Sequence, residues 1–181
     1  MTARARATIA DLQAAEGKAE LVGGELVVMS PTGYKPGRAA AKILMSLLRH
    51  EAEHGGGRAI GDNVGFLVDL PDRQSFSPDA CWYTGPPGDM GFVRGAPAFA
   101  VEVRSDGDYG PAAERALAAK RADYFAAGTL VVWDVDLLGA DVVRVFRRTA
   151  PAQVTVYRRG DVTEAEPAVS GWRMPVDELF D

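Results

Sequence analysis

The chain has 181 residues, 47% of them hydrophobic and 25% charged, which suits one globular domain with a real core. No apolar run is long enough to span a bilayer, and the arginine-bearing start has no apolar core behind it, so neither membrane insertion nor secretion is expected and a cytoplasmic protein is. A net charge of −5 argues against tight, non-specific nucleic-acid binding but not against transient cleavage, and the single cysteine, Cys81, excludes an intrachain disulfide and a cysteine zinc cluster.

Thr8, followed by Ile9, Ala10, Asp11 and Leu12, reads as the N-cap of a short helix. Residues 20–29 place two apolar runs on either side of Gly23-Gly24, a hairpin signature, and Ser30-Pro31-Thr32-Gly33 ends it. Over residues 37–54, Ile43, Leu44, Leu47 and Leu48 recur at helical spacing, which predicts a long amphipathic helix stopped by Gly55-Gly56-Gly57. Residues 64–70 read as a strand and Pro71-Asp72 as a turn. Ser77-Pro78-Asp79 opens a strand that runs through Cys81, Trp82 and Tyr83. Residues 85–89 form a loop, and residues 97–104 an apolar run that reads as a buried strand. After a polar turn, Pro111 occupies the first position of a helix that reaches Ala127 and stops at Gly128. Residues 130–135 read as a buried strand, residues 142–147 and 153–158 as a half-exposed pair, and residues 174–180 as a short terminal helix. With no repeat, low-complexity segment or linker, residues 1–181 are expected to form a single domain. The alternation of helices and strands predicts an α/β (α+β) fold, a mixed sheet flanked by helices.

Three charges fall where apolar residues are expected: Asp79 at a strand start, Glu102 inside a buried strand, and Lys120 on the inner face of the following helix. An unpaired buried charge costs several kcal/mol or more, so such groups pair or bind metal. Strand alternation puts Asp79 on one face with Cys81 and Tyr83, and Glu102 on one face with Ala100 and Arg104. If the two strands are neighbours in register, the carboxylates converge, and a shared divalent cation relieves their repulsion. Mg²⁺ takes oxygen ligands, and the Val103 carbonyl is a candidate for another. Ala113, Leu117, Lys120 and Tyr124 share one helix face, which brings the lysine toward the acids. This combination suits metal-dependent phosphodiester chemistry.

Each residue also has a plainer reading. Asp79 after Pro78 suits a turn, Glu102 can pair with Arg104 or another arginine, and Lys120, Arg115 and Arg121 can extend to solvent. His50 and His54 stand at metal-ligand spacing, but a solvated helix end explains them better than zinc. Gly55-Gly56-Gly57 lacks the lysine and hydroxyl residue of a phosphate loop. Cys81, Trp82 and Trp133 are expected in the core. Arg144, Arg147, Arg148, Arg158 and Arg159 suit a solvated face, or a nucleic-acid contact if they line a cleft.

The chain resembles the Uma2 family of endonucleases, formerly a domain of unknown function, within the PD-(D/E)xK nuclease superfamily. Residues 20–31 are similar to the family's opening hairpin, Ser77-Pro78-Asp79 to its first acidic motif, and Val101-Glu102-Val103 to its second. Lys120 to Tyr124, Ala127-Gly128 and Val132-Trp133-Asp134-Val135 are similar to its helix-and-strand segment, and residues 175–180 to its ending. The resemblance implies a restriction-endonuclease-like core, Asp79 and Glu102 as ligands of Mg²⁺ or Mn²⁺, Glu20 as an acid that touches the metal through water, and DNA as substrate. It also implies that the superfamily's strand lysine has moved to Lys120. Two departures stand out. Arg104 occupies the strand-lysine position and stays protonated, and residues 32–37 lack the histidine that relatives often carry there. Cutting both strands of a duplex is simplest with two symmetry-related sites, a reason to expect a homodimer. The rival expectation is a nuclease-fold binding or interaction module without activity.

Overall fold

The structure, a computed structural model, describes residues 6–180, so most of the arginine-bearing start lies outside the described residues. Helix α1 (Ile9–Gln13) begins as expected: the Thr8 side chain accepts from Asp11 N–H while the Asp11 carboxylate accepts from Thr8 N–H. Strands β1 (Ala19–Val22) and β2 (Glu25–Val28) form the hairpin. Gly23 and Gly24 both take positive φ, 60° and 81°, which a tight two-residue turn of this kind requires. Helix α2 (Tyr34–His54) starts before Gly37, because Pro36 lies in the first turn, where its missing N–H costs no helical bond. Its buried stripe is Ala39, Ala40, Ile43, Leu47 and His50, whereas Leu48 is exposed.

The remaining elements are β3 (Arg58–Gly61), β4 (Phe66–Leu70), β5 (Arg73–Phe76), β6 (Ala80–Tyr83), β7 (Val93–Arg94), β8 (Phe99–Val103), α3 (Pro111–Ala126), β9 (Val131–Val135), β10 (Val143–Arg147), β11 (Ala150–Tyr157), β12 (Val162–Ala165) and β13 (Val169–Pro175). A 3-10 turn, Val176–Leu179, stands where the terminal helix was expected, with Met174 and Pro175 in β13 instead. The sequence pattern did not announce β3, β5, β7, β12 or β13. These strands are short, and Arg73-Gln74-Ser75 and Thr163-Glu164 show no apolar alternation, so pairing with neighbours decides them.

The centre is a six-stranded mixed sheet in the order β11-β10-β9-β8-β6-β3, with β8 and β9 parallel and the other pairs antiparallel. A five-stranded sheet, β2-β1-β5-β4-β7, and the pair β12-β13 complete the architecture. One face of the central sheet presents Trp82, Phe99, Val101, Val103 and Trp133 to α2, β13 and the 3-10 turn. The other presents Cys81, Tyr83, Ala100 and Val132 to Tyr124 of α3 and to Phe66 and Phe76 of the second sheet. This is the expected mixed sheet flanked by helices with an N-terminal hairpin. The second sheet matters most for function, because it carries β1 and β5 onto the face where Glu102 points.

Candidate active site

Asp79 immediately precedes β6, where antiparallel pairing sets Ala80 opposite Val101 of β8. Asp79 N–H donates to the Val101 carbonyl at 3.0 Å, and one further step of register brings Asp79 opposite Glu102. The two acids therefore meet across neighbouring strands. Asp79 Oδ2 accepts from Val103 N–H at 2.7 Å, and Oδ1 accepts from Lys18 Nζ at 2.7 Å. Lys18 also pairs with Asp62 Oδ1 at 2.6 Å.

Lys120 reaches inward from α3. Its ammonium lies 2.8 Å from Glu102 Oε2 and 2.9 Å from Glu20 Oε1. One turn along, the Tyr124 hydroxyl donates to Glu102 Oε1 at 2.7 Å. Glu20 comes from β1 and is held from two more sides, by Arg73 Nη1 at 2.6 Å and Ser77 N–H at 2.9 Å. Arg73 Nε in turn donates to Asp123 Oδ2 on α3 at 2.8 Å. The network thus ties both sheets to α3, and it sets the carboxylates of Asp62, Asp79, Glu102, Glu20 and Asp123 against the cations of Lys18, Lys120 and Arg73.

Burial comes first in setting the titration of this network, and the charged neighbours come second. Burial pushes Glu102 up to about 7; Lys120 opposes the rise, while Asp79 and Glu20 add to it. Burial acts on Glu20 in the same sense, but Lys120 and Arg73 outweigh it and hold that carboxyl below its ordinary value. Burial disfavours the Lys120 ammonium, yet Glu102 and Glu20 raise its pKa well above normal. In this network Lys120 is held as a cation that donates to both carboxylates.

The donor set is all oxygen, as Mg²⁺ or Mn²⁺ prefers, and the Ser77 hydroxyl beside Glu20 is buried without a partner among the described residues. In kind, then, the residues fit a hard divalent cation. In the present arrangement each oxygen of Asp79 and Glu102 already accepts from a protein donor. Correspondingly, among the described residues no group of three or more acids, histidines or cysteines is set to hold a metal ion. Val103 is at the site through its N–H.

The other expectations are met in some places and not in others. Arg104 pairs with Asp134 and Glu114 rather than with Glu102. His50 is buried against Trp82 and stacked on His54 at 4.5 Å, so only His54 sits at a solvated helix end. Cys81, Trp82 and Trp133 are core residues, with burial pushing the Cys81 thiol up. Arg121 stacks over Phe146 at 3.7 Å instead of extending to solvent. Arg144, Arg147, Arg158 and Arg159 each pair with an acid.

Sequence reasoning missed Lys18, Arg73, Asp62 and Asp123. Lys18 had a usable signal, since it stands two residues before Glu20 and so shares its side of an extended chain. Arg73, buried in a strand with no apolar alternation, had none.

A sequence model of the Uma2 family, described as "Putative restriction endonuclease", matches residues 7–177. No curated protein matches the chain. Among solved structures, the chain is similar to a protein from Anabaena variabilis described as a "putative nuclease belonging to DUF820". The TM-score is 0.74 at 16% identity, covering 96% of this chain and 97% of that one. At that identity the likeness speaks for the fold, and it agrees with the mixed sheet and flanking helices.

Proposed function

The chain belongs to the Uma2 family, described as "Putative restriction endonuclease", and on that premise we propose that it is a Mg²⁺- or Mn²⁺-dependent endonuclease hydrolysing phosphodiester bonds in DNA. Asp79 and Glu102 would hold the cation, with the Val103 carbonyl and, through water, Glu20 as further oxygen donors. When bound, the cation supplies an acidified water and offsets negative charge on the phosphate. Lys120 orients the attacking water or neutralises charge developing on the phosphate. Tyr124 and Lys120 aim the Glu102 carboxylate, and Arg73 and Ser77 aim Glu20. A homodimer would offer one such site to each strand of a duplex.

The observation that carries this reading is the meeting of Asp79 and Glu102 across β6 and β8 with Lys120 bonded to Glu102. Purified Asp79→Ala and Glu102→Ala variants are expected to lose Mg²⁺-dependent cleavage of plasmid DNA while keeping the wild-type circular dichroism spectrum. Cleavage at the wild-type rate in both would end the proposal.

A second reading, a nuclease fold serving as a binding module, has one observation in its favour: protein donors already occupy all four oxygens of Asp79 and Glu102. Calorimetric titration separates the two readings. Mn²⁺ binding that is lost in Asp79→Ala supports the enzyme, and no binding to the wild type supports the module.

A further inference from the structure

Any cation held by Asp79 and Glu102 must displace a donor that is already there, and the four donors differ in how readily they leave. Val103 N–H is part of the backbone beside β9, and the Val103 pairing with Val135 holds it. Tyr124 is fully buried, its ring stacked on Phe76 at 4.0 Å. Lys120 lies between Glu20 and Glu102, and moving it would strand two carboxylates. Lys18 alone among the four has a second partner outside the site: Asp62, at 2.6 Å and with 44% of its side chain exposed. Asp62 sits just beyond the end of β3, and its own Oδ1 also accepts from Asn63 N–H at 2.7 Å, so it stays fixed as an acceptor. Lys18 can release Asp79 and keep an ion pair.

We infer that Lys18 is a built-in competitor for the divalent cation: its ammonium bridges Asp79 and Asp62 in the metal-free protein, and it releases Asp79 and keeps Asp62 when a cation takes Asp79. This rests on the reading of Asp79 and Glu102 as the metal-holding pair. The exchange replaces one unit of positive charge at Asp79 with two, which matches a site whose network carries more acid than base. It also means that in the metal-free protein each of the two acids has its own cation, Lys18 on Asp79 and Lys120 on Glu102. Lys18 therefore sets the threshold concentration of divalent cation at which the site loads, and it selects for ions of higher charge over Na⁺ or K⁺, which lack the charge to displace an ammonium.

The test is calorimetric titration of wild type, Lys18→Met, Lys18→Arg and Asp79→Ala with Mn²⁺ alone, without nucleic acid. Thermal unfolding of each variant confirms that it folds. Lys18→Met is expected to bind Mn²⁺ about tenfold more tightly than wild type, within the usual range for two ligands coupled through one protein. Lys18→Arg, which keeps the competing charge, is expected to bind like wild type. Equal affinities for wild type and Lys18→Met, with binding lost in Asp79→Ala, would overturn the competitor and leave the metal reading standing. No binding to either would overturn both. A crystal of the wild type soaked in Mn²⁺ gives an independent readout. Lys18 is expected on Asp62 and out of ion-pair reach of Asp79, and Mn²⁺ bound with the Lys18–Asp79 pair intact would overturn the inference.

Discussion

Glu102 and Arg104 sit two positions apart on the β8 side of α3, and each is the centre of an ion cluster of a different kind. The side chains that Arg104 bonds are both acids: Nε and Nη2 donate to the two oxygens of Asp134 at 2.7 and 2.6 Å, and the same guanidinium grips Glu114. Arg144 adds longer contacts of 3.7 Å to Asp134 and Asp136. Glu102 meets a lysine but also other carboxylates, Asp79 across the strand and Glu20 beyond Lys120. The chemistry follows from the neighbours. Hydrogen bonds from Arg104 hold Glu114 below its ordinary pKa, whereas burial and neighbouring acids drive Glu102 up. A cluster closed by opposite charges is a structural brace, and one that keeps like charges pressed together is ready to take a further cation.

The contrast can be broken most severely at the brace. Arg104→Ala leaves Asp134 buried with only the distant Arg144, and breaking such a pair is expected to cost about 3–5 kcal/mol in urea unfolding. Mn²⁺ affinity should stay at the wild-type value, and a fall in affinity would merge the two clusters into one.

Lys120→Met tests the other centre. Arg73 still holds Glu20 and Glu102 can take up a proton, so the expected loss is smaller, about 2–3 kcal/mol at pH 8, shrinking at pH 5. A loss equal at both pH values would show that Glu102 does not titrate as its neighbours require.

The wild type itself should show the titration. Glu102 binds its proton more tightly folded than unfolded, so its contribution favours the folded state at low pH and is lost as pH rises from 4.5 to about 7. The change is on the order of 1 kcal/mol in unfolding free energy after allowance for partial exposure, and Glu102→Gln should remove it. A slope of the same size in the Gln variant would assign it elsewhere.

The smallest effect is expected outside both clusters. Arg158 pairs with Asp141 at 2.7 Å, with 61% and 38% of the two side chains exposed. Arg158→Ala should change stability by no more than about 0.5 kcal/mol, and less in high salt.

Much of the scaffold was legible because its signals are local. Thr8 and Asp11 announce a cap, Gly23-Gly24 a tight turn, and the spacing of Ile43 and Leu47 a buried helical stripe, and all three occur. β5 and β12 were not legible, because Arg73-Gln74-Ser75 and Thr163-Glu164 show no apolar alternation and acquire strand geometry from their partners, β1 and β4 for β5 and the neighbouring β13 for β12. The site divides in the same way. Asp79, Glu102 and Lys120 could be picked out as charges in apolar settings, yet Arg104 looked equally able to serve Glu102 until β9 and α3 claimed it.

The sequence by itself determined which segments alternate, which turn, and which three charged residues need partners, since periodicity and burial cost are properties of a short stretch of chain. Tertiary structure alone decided who those partners are. Lys18 reaches Asp79 across 61 positions, which the packing of the second sheet on the first brings about, and Arg73 reaches Glu20 across 53, which the pairing of β5 with β1 brings about. The reason is that ion pairs form wherever the folded chain places opposite charges within reach, and no local pattern encodes that distance.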